Sequence, residues 1–313
     1  MKLGVVSSAL VDCGFEAGLD RLRALGVEAI EIGCGGYHAD RRFGDTARLA
    51  ADAGARDRWR DAIAQRGLEL SALALHGAPL SPDRAVADRY DAEFRAACRL
   101  AERIGVGRLT LLAGIPEGAP GDATPCWIAS AFPPGNRDVL EWQWEQRVVP
   151  YWREHARIAT DHGCRLCFEM HPNDVVYNPR AFLRLREAIG PAAGLNFDPS
   201  HLFWQGIDTL DALRSVGEHV HHVHAKDTAL NMRRVRIDGV LDSGPFEALP
   251  ERSWSFRTIG FGHGELYWRE FVSVLREIGY DGVVSIEHED LYLGPRDGLA
   301  KAVAFLRPLL PSR

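Results

Sequence analysis

Eight times along this chain a short apolar run of strand length is followed by a stretch with helical spacing. That alternation limits the available folds more than any single residue does. The strands are expected at Lys2–Val6, Glu28–Ile32, Glu69–Leu75, Arg108–Leu112, Arg165–Glu169, Gly194–Phe197, Val220–His224 and Gly282–Glu287. The helices between them are expected at Phe15–Leu25, Ala55–Gln65, Asp83–Ile104, Val139–His162, Pro179–Ile189, Thr209–Val216, Tyr267–Ile278 and Pro295–Leu306. Gly26, Gly67 and Gly105 stand where the first three of these helices should stop. Strand–helix alternation implies parallel strands joined by crossover helices. Eight such repeats in 313 residues favour a closed (β/α)8 TIM barrel over an open sheet, as a single domain spanning 1–313. No Gly-x-Gly-x-x-Gly follows the first strand, which disfavours a dinucleotide-binding sheet.

Two stretches break the rhythm. After the fourth strand, residues 113–137 are rich in Gly, Pro and aromatics, and Trp127, Phe132, Trp142 and Trp144 call for something to pack on. After the seventh strand, residues 225–264 form a polar excursion with several Gly and Pro. Loops this long in a compact domain are uncommon and are usually functional or disordered. Gly260, Gly262 and Gly264 are read as tight backbone turns rather than a phosphate cradle.

Composition narrows the classes. At 46% hydrophobic and 26% charged the chain can bury a sizeable core and stay soluble. A net charge of −6 offers no basic surface for a nucleic-acid duplex. No apolar run approaches the ~20 residues of a membrane span, and the start MKLGVVSSAL is no signal peptide, so a cytoplasmic enzyme without membrane or nucleic-acid partners is expected. The lone Cys164-x-x-Cys167 has no second pair to complete a zinc site, and a strand would send its two thiols to opposite faces.

In a (β/α)8 barrel the reactive residues gather at the C-terminal ends of the strands. Here four consecutive strands end in groups able to hold a metal: Glu169, Asp198, His224 and Glu287. Adjacent strands run ~4.8 Å apart, so side chains at neighbouring ends can reach one ion. Three carboxylates and an imidazole suit a divalent cation such as Mn, Mg, Co or Zn. Asp198, followed by Pro199, can equally form a turn. Glu31 and His76 end the second and third strands and are expected to meet substrate hydroxyls. His171, two residues past Glu169, is a candidate for proton transfer or substrate contact. Lys226 can polarise a substrate oxygen, with Asp227 orienting it or His224, or the two can form an ion pair at the loop entrance. His221, His222 and His288 read as structural or surface residues.

The segments FEMHP, NFDPSH, HVHAKD and SIEHED, in this order, resemble the sugar phosphate isomerase/epimerase group of the xylose isomerase-like barrels. The resemblance covers nearly the whole chain. It implies that Glu169, Asp198, His224 and Glu287 are metal ligands, usually of Mn, and that His201 contacts substrate beside the metal. It further implies that Glu169 and Glu287 exchange a proton with a small carbohydrate next to its carbonyl, through an enediolate, as in isomerisation or epimerisation. Where the ketose epimerases of the group carry another glutamate shortly after the first ligand, this chain has Asp174 and Val175. That departure leaves room for a second reaction known in the superfamily, elimination from 3-oxo-glycosides by removal of the C2 proton. Apurinic endonucleases share the barrel but need more histidines, and the fourth strand ends at Leu111–Leu112–Ala113 with no ligand to offer. The aromatic loops are compatible with a homo-oligomer, which is usual in the group.

Overall fold

A computed structural model of the chain describes residues 1–311. It begins with β1 (Lys2–Val6), α1 (Phe15–Ala24), β2 (Ala29–Gly33), α2 (Thr46–Ala51), α3 (Ala53–Ala64), β3 (Glu69–Leu75), α4 (Arg84–Ile104) and β4 (Arg108–Leu111). Then come α5 (Gly135–Gln143), a π turn at Trp144–Val148, α6 (Val149–Asp161), β5 (Arg165–Glu169), α7 (Pro179–Ile189), β6 (Ala193–Phe197), α8 (Ser200–Phe203) and α9 (Thr209–Val216). The chain finishes with β7 (Val220–Ala225), β8 (Asp227–Leu230), α10 (Met232–Asp238), β9 (Trp254–Arg257), α11 (Glu265–Glu277), β10 (Val283–Ile286) and α12 (Pro295–Leu306). Eight strands close a parallel barrel in the order β1-β10-β7-β6-β5-β4-β3-β2, which is the expected (β/α)8 architecture. β8 and β9 pair separately as an antiparallel ribbon.

The barrel strands carry few polar residues and are buried almost throughout, as parallel strands covered on both faces must be. Helix ends follow local chemistry. Asp83 caps α4 by accepting from the Ala85 amide at 2.9 Å, and Gly105 ends it in the left-handed region at φ 72°. Asn178 caps α7, and Asp208 caps α9.

Contacts gather the chain into two compact units. The first comprises residues 1–32, 61–71 and those from 197 onward. In it β1 pairs with β10 in the register Lys2↔Val283 to Val5↔Ile286, and β10 pairs with β7. The second comprises residues 33–60 and 72–196 and contains β4 and β5, with α4 to α7. There Trp152 is fully buried and donates its indole N–H to the Ala113 carbonyl at 2.9 Å, fixing the start of the long loop after β4. Gln143 fixes the rest, donating to the carbonyls of Glu117 (3.0 Å) and Cys126 (2.7 Å).

Two expectations need correction. The helix expected from Val139 to His162 is three pieces, with the π turn at Trp144–Val148 immediately ahead of Pro150. Proline has no N–H for the i−4 carbonyl, so a regular α-helix cannot run through that point. The excursion after β7 is likewise no plain loop, because it contains the β8–β9 ribbon and α10.

Candidate metal centre

The first unit brings together Asp198, His224 and Glu287, each buried and each offering one ligand atom within 4.8 Å of the others. Their positions follow from the backbone. Phe197 ends β6, and Asp198 then turns the chain: its Oδ1 accepts from the Ser200 amide at 2.8 Å. Its Oδ2 is buried and takes no hydrogen bond, with Lys226 Nζ at 3.2 Å and His201 Nε2 at 3.4 Å. The turn expected of Asp198 is therefore formed through Oδ1.

His224 is oriented from behind. Its Nε2 lies 3.0 Å from Glu31 Oε2, and His222 Nε2 lies 2.7 Å from the same oxygen. A carboxylate only accepts, so both imidazoles must present N–H there. A neutral His224 then carries its lone pair on Nδ1, which faces Glu287 Oε2 at 3.3 Å. The same Glu287 oxygen also lies 2.7 Å from Lys226 Nζ, so the internal ammonium offsets its charge. Burial works against charge on Glu31, but the fields of His224 and His222 and their hydrogen bonds outweigh it, so its carboxyl is held well below the usual range. Glu31 is 0% exposed; the mouth-lining substrate contact expected of it is replaced by these two imidazoles.

Lys226 is 2% exposed and surrounded by carboxylates: Glu287 Oε2 at 2.7 Å, Glu289 Oε2 at 3.0 Å and Asp198 Oδ2 at 3.2 Å. The Phe256 ring covers its Nζ at 4.7 Å from the centroid and meets the His201 ring edge-on at 5.3 Å. Phe256 reaches this place because β9 pairs with β8 and sets it opposite Thr228, whose Oγ1 donates to the Ser200 carbonyl at 2.8 Å. Asp227 does not orient Lys226 or His224. Its carboxylate gathers the amides of Gly260 (3.1 Å), Gly262 (3.0 Å) and His263 (2.8 Å) together with His263 Nδ1. A Cβ at Gly262 would come within 2.6 Å of Asp227 Oδ1, so only glycine fits there. Those glycines thus serve a tight turn, as their spacing suggested. His288 is buried and its Nε2 lies 3.0 Å from the Leu293 carbonyl, a structural contact.

In the second unit β5 ends at Glu169, which is 2% exposed. Its Oε2 accepts from Asn196 Nδ2 at 2.7 Å and faces His76 Nε2 at 3.2 Å. His76 therefore orients a carboxylate at this strand end, and its ring rests edge-on against His38 at 4.7 Å. His171 is half-buried, and its Nδ1–H donates to the Pro172 carbonyl at 2.6 Å. Asp174 is buried, and its Oδ2 accepts from the Gly114 amide at 2.6 Å. Burial pushes its carboxyl well up, the amides of Val176, Gly114 and Val175 oppose this, and Glu169 adds to it.

Asn196, His222 and Phe256 were not legible as site residues. Asn196 and His222 look like interior strand residues, and only the pairing of distant segments gives them partners. The visible signs were an amide in the otherwise apolar β6 and a run of imidazoles in β7.

Comparison with known proteins agrees with the fold. Residues 19–309 match the family model described as a xylose isomerase-like TIM barrel. An uncharacterised Bacillus subtilis protein, YfiH, is 34% identical over 310 residues, covering 98% of each chain. Among solved structures, the IolI protein with a bound zinc atom superposes with a TM-score of 0.65 at 17% identity, over 99% of this chain and 96% of its own. The 3-keto-D-glucoside 4-epimerase YcjR from E. coli, in its apo form, gives 0.62 at 16% identity, over 97% and 99%. At such identities the likeness is one of fold.

Proposed function

The chain belongs to the xylose isomerase-like TIM-barrel family, and from that premise we propose that it is a divalent-metal-dependent enzyme that moves a proton next to the carbonyl of a small carbohydrate, as a sugar isomerase or epimerase. The observation that carries this reading is the donor set. Glu169, Asp198, His224 and Glu287 are four buried donors at the ends of barrel strands that follow one another in the order β5, β6, β7, β10. The residues fit a cation: three carboxylates and an imidazole converge, and Asp198 Oδ2 is buried with no hydrogen bond among the described residues. Carboxylate and imidazole donors accommodate Mn, Mg, Co or Zn, and IolI was solved with zinc. A divalent ion held there would supply Lewis acidity, which makes a C–H beside a carbonyl removable.

The side chains divide the remaining work. Glu169 and Glu287 are the carboxylates for taking and returning the proton. Asn196 and His76 hold Glu169 in place at Oε2. Lys226 gives an ammonium for a substrate oxygen, and Phe256 covers it from water. His201 and His171 are further hydrogen-bonding partners for sugar hydroxyls.

A second reading, elimination from a 3-oxo-glycoside, is favoured by one observation. Where ketose epimerases of this group carry a further glutamate, Asp174 is turned inward onto the Gly114 and Val176 amides. YcjR, a 3-keto-glucoside epimerase, has the same fold. The test is to load the protein with Mn and feed it free ketoses and, separately, a 3-oxo-glucoside in deuterated water. Sugar interconversion with deuterium incorporation supports the first reading, and release of the aglycone supports the second. Absence of specific divalent binding to the chelator-treated protein overturns both.

A further inference from the structure

The second unit contains a cleft of about 190 Å³ that the metal chemistry does not use. Its walls come from the long loop after β4 (Cys126–Ile128), the end of α5 with Trp144, the loop after β5 (Val175, Tyr177) and the first turns of α7 (Arg180, Ala181, Arg184). Three aromatic side chains face it. Trp127 and Tyr177 meet edge-to-face at 5.5 Å, and the Arg184 guanidinium lies over Trp144 at 4.3 Å.

Most polar groups there are satisfied internally. Gln143 donates to loop carbonyls, Asn178 caps α7 and Arg184 is paired with Glu141. One is not: Trp127 Nε1–H is buried and has no acceptor. A buried donor without a partner calls for one. The exposed Arg180 stands at the rim. The occupant this describes has an apolar face for the aromatic rings and an oxygen at its edge for the indole N–H. The volume is below the ~300–1,000 Å³ of a pocket that takes a whole ligand, so the cleft suits one ring of a larger molecule.

The loops tie this cleft to the reactive end of β5. His171, two residues past Glu169, donates its amide to the Val176 carbonyl at 3.0 Å, so Val175 and Tyr177 on either side of Val176 are held beside it. The Val175 amide reaches the Gly114 carbonyl at 3.2 Å, and Asp174 takes the Gly114 amide, so the loop after β4 is tied to the loop after β5.

We infer that this cleft is a subsite for a second, hydroxyl-bearing ring, and that the substrate is a two-ring carbohydrate derivative that carries the reacting carbonyl on its other ring, rather than a free monosaccharide. The inference rests on the reading of Glu169 as a reactive carboxylate and deepens it. The ring can be a sugar or a phenolic aglycone, and two probes separate these sources.

The experiment is calorimetric titration of the Mn-treated full-length protein with methyl β-glucoside, cellobiose and 4-hydroxyphenyl β-glucoside. Trp fluorescence gives a parallel signal. One or both two-ring probes should bind about tenfold tighter than methyl β-glucoside, as stacking on an aromatic wall allows. Ala181→Trp, which fills the cleft, should erase that gap while leaving Mn binding and the methyl β-glucoside Kd within about twofold. Trp127→Phe, which keeps the wall and removes the N–H, should narrow the gap several-fold. Equal binding of all three probes to the wild type overturns the inference, as does a gap that survives Ala181→Trp. If that variant does not fold, a gap unchanged in Trp127→Phe overturns it instead. A gap in protein that fails to bind Mn leaves the subsite standing and removes the metal reading, whereas Mn binding without a gap removes the subsite alone.

Discussion

Glu31 serves two imidazoles at once, and its charge is what keeps both in one tautomer. Glu31→Gln offers one acceptor and one donor in place of two acceptors, so His224 loses its fixed orientation. Metal affinity should drop about 10–100-fold, measured by competition with a fluorescent chelator. The same substitution has a pH signature. Because the folded carboxyl is held below its unfolded value, its contribution to stability is complete above the ordinary carboxylate range and is lost as the pH falls through the folded value. The stability difference between wild type and Glu31→Gln, followed by urea unfolding in chelator, should therefore shrink on the acid side. Lys226→Met acts in the opposite direction on metal. It removes the internal cation from Asp198, Glu287 and Glu289, so chelated protein should lose about 3 kcal/mol, and added Mn should restore it. Asp198, His224 and Glu287 were legible because strand ends can be counted along the sequence. Glu31 was misjudged because its partners, His222 and His224, are 191 and 193 residues away. Asp227 was misjudged because a turn formed by residues 260–263 cannot be foreseen from its neighbours in sequence.

At the scale of elements, Asp227 is the anchor of the turn that leads into α11. Asp227→Ala leaves the amides of Gly260, Gly262 and His263 without their shared acceptor. Such a loss should cost about 2–4 kcal/mol, and hydrogen exchange should quicken at residues 258–264 while β7 stays protected. The expected strands lie within a residue or so of the observed ones, since buried parallel strands make short apolar runs that glycine and helical spacing delimit. β8 and β9 escaped notice for a physical reason. Each has four residues, 23 residues separate them, and their stability comes from pairing with one another and from the packing of Trp254 on Trp204 at 4.6 Å. Nothing in local periodicity announces such a ribbon. α2 was missed similarly, being a six-residue helix capped by Asp45 and buried against α4.

At the scale of the whole molecule, metal binding and stability are linked. A ligand at 100 times its Kd stabilises the folded state by about 2.7 kcal/mol. For a chain of this size that corresponds to a rise in Tm of several degrees. Differential scanning fluorimetry should show this with Mn for the wild type and not for Asp198→Asn.

The pairing of β1 with β10 has a consequence during synthesis. Val283–Ile286 is synthesised about 280 residues after its partner Lys2–Val6. The amino group of Met1 also waits for Asp281, 2.6 Å away in the finished chain. Until that partner emerges, the first strand has β2 on one side and an open edge on the other. At ~5–20 residues per second that exposure lasts for ~15–55 seconds, an interval in which a nascent apolar edge invites a chaperone or a wrong partner.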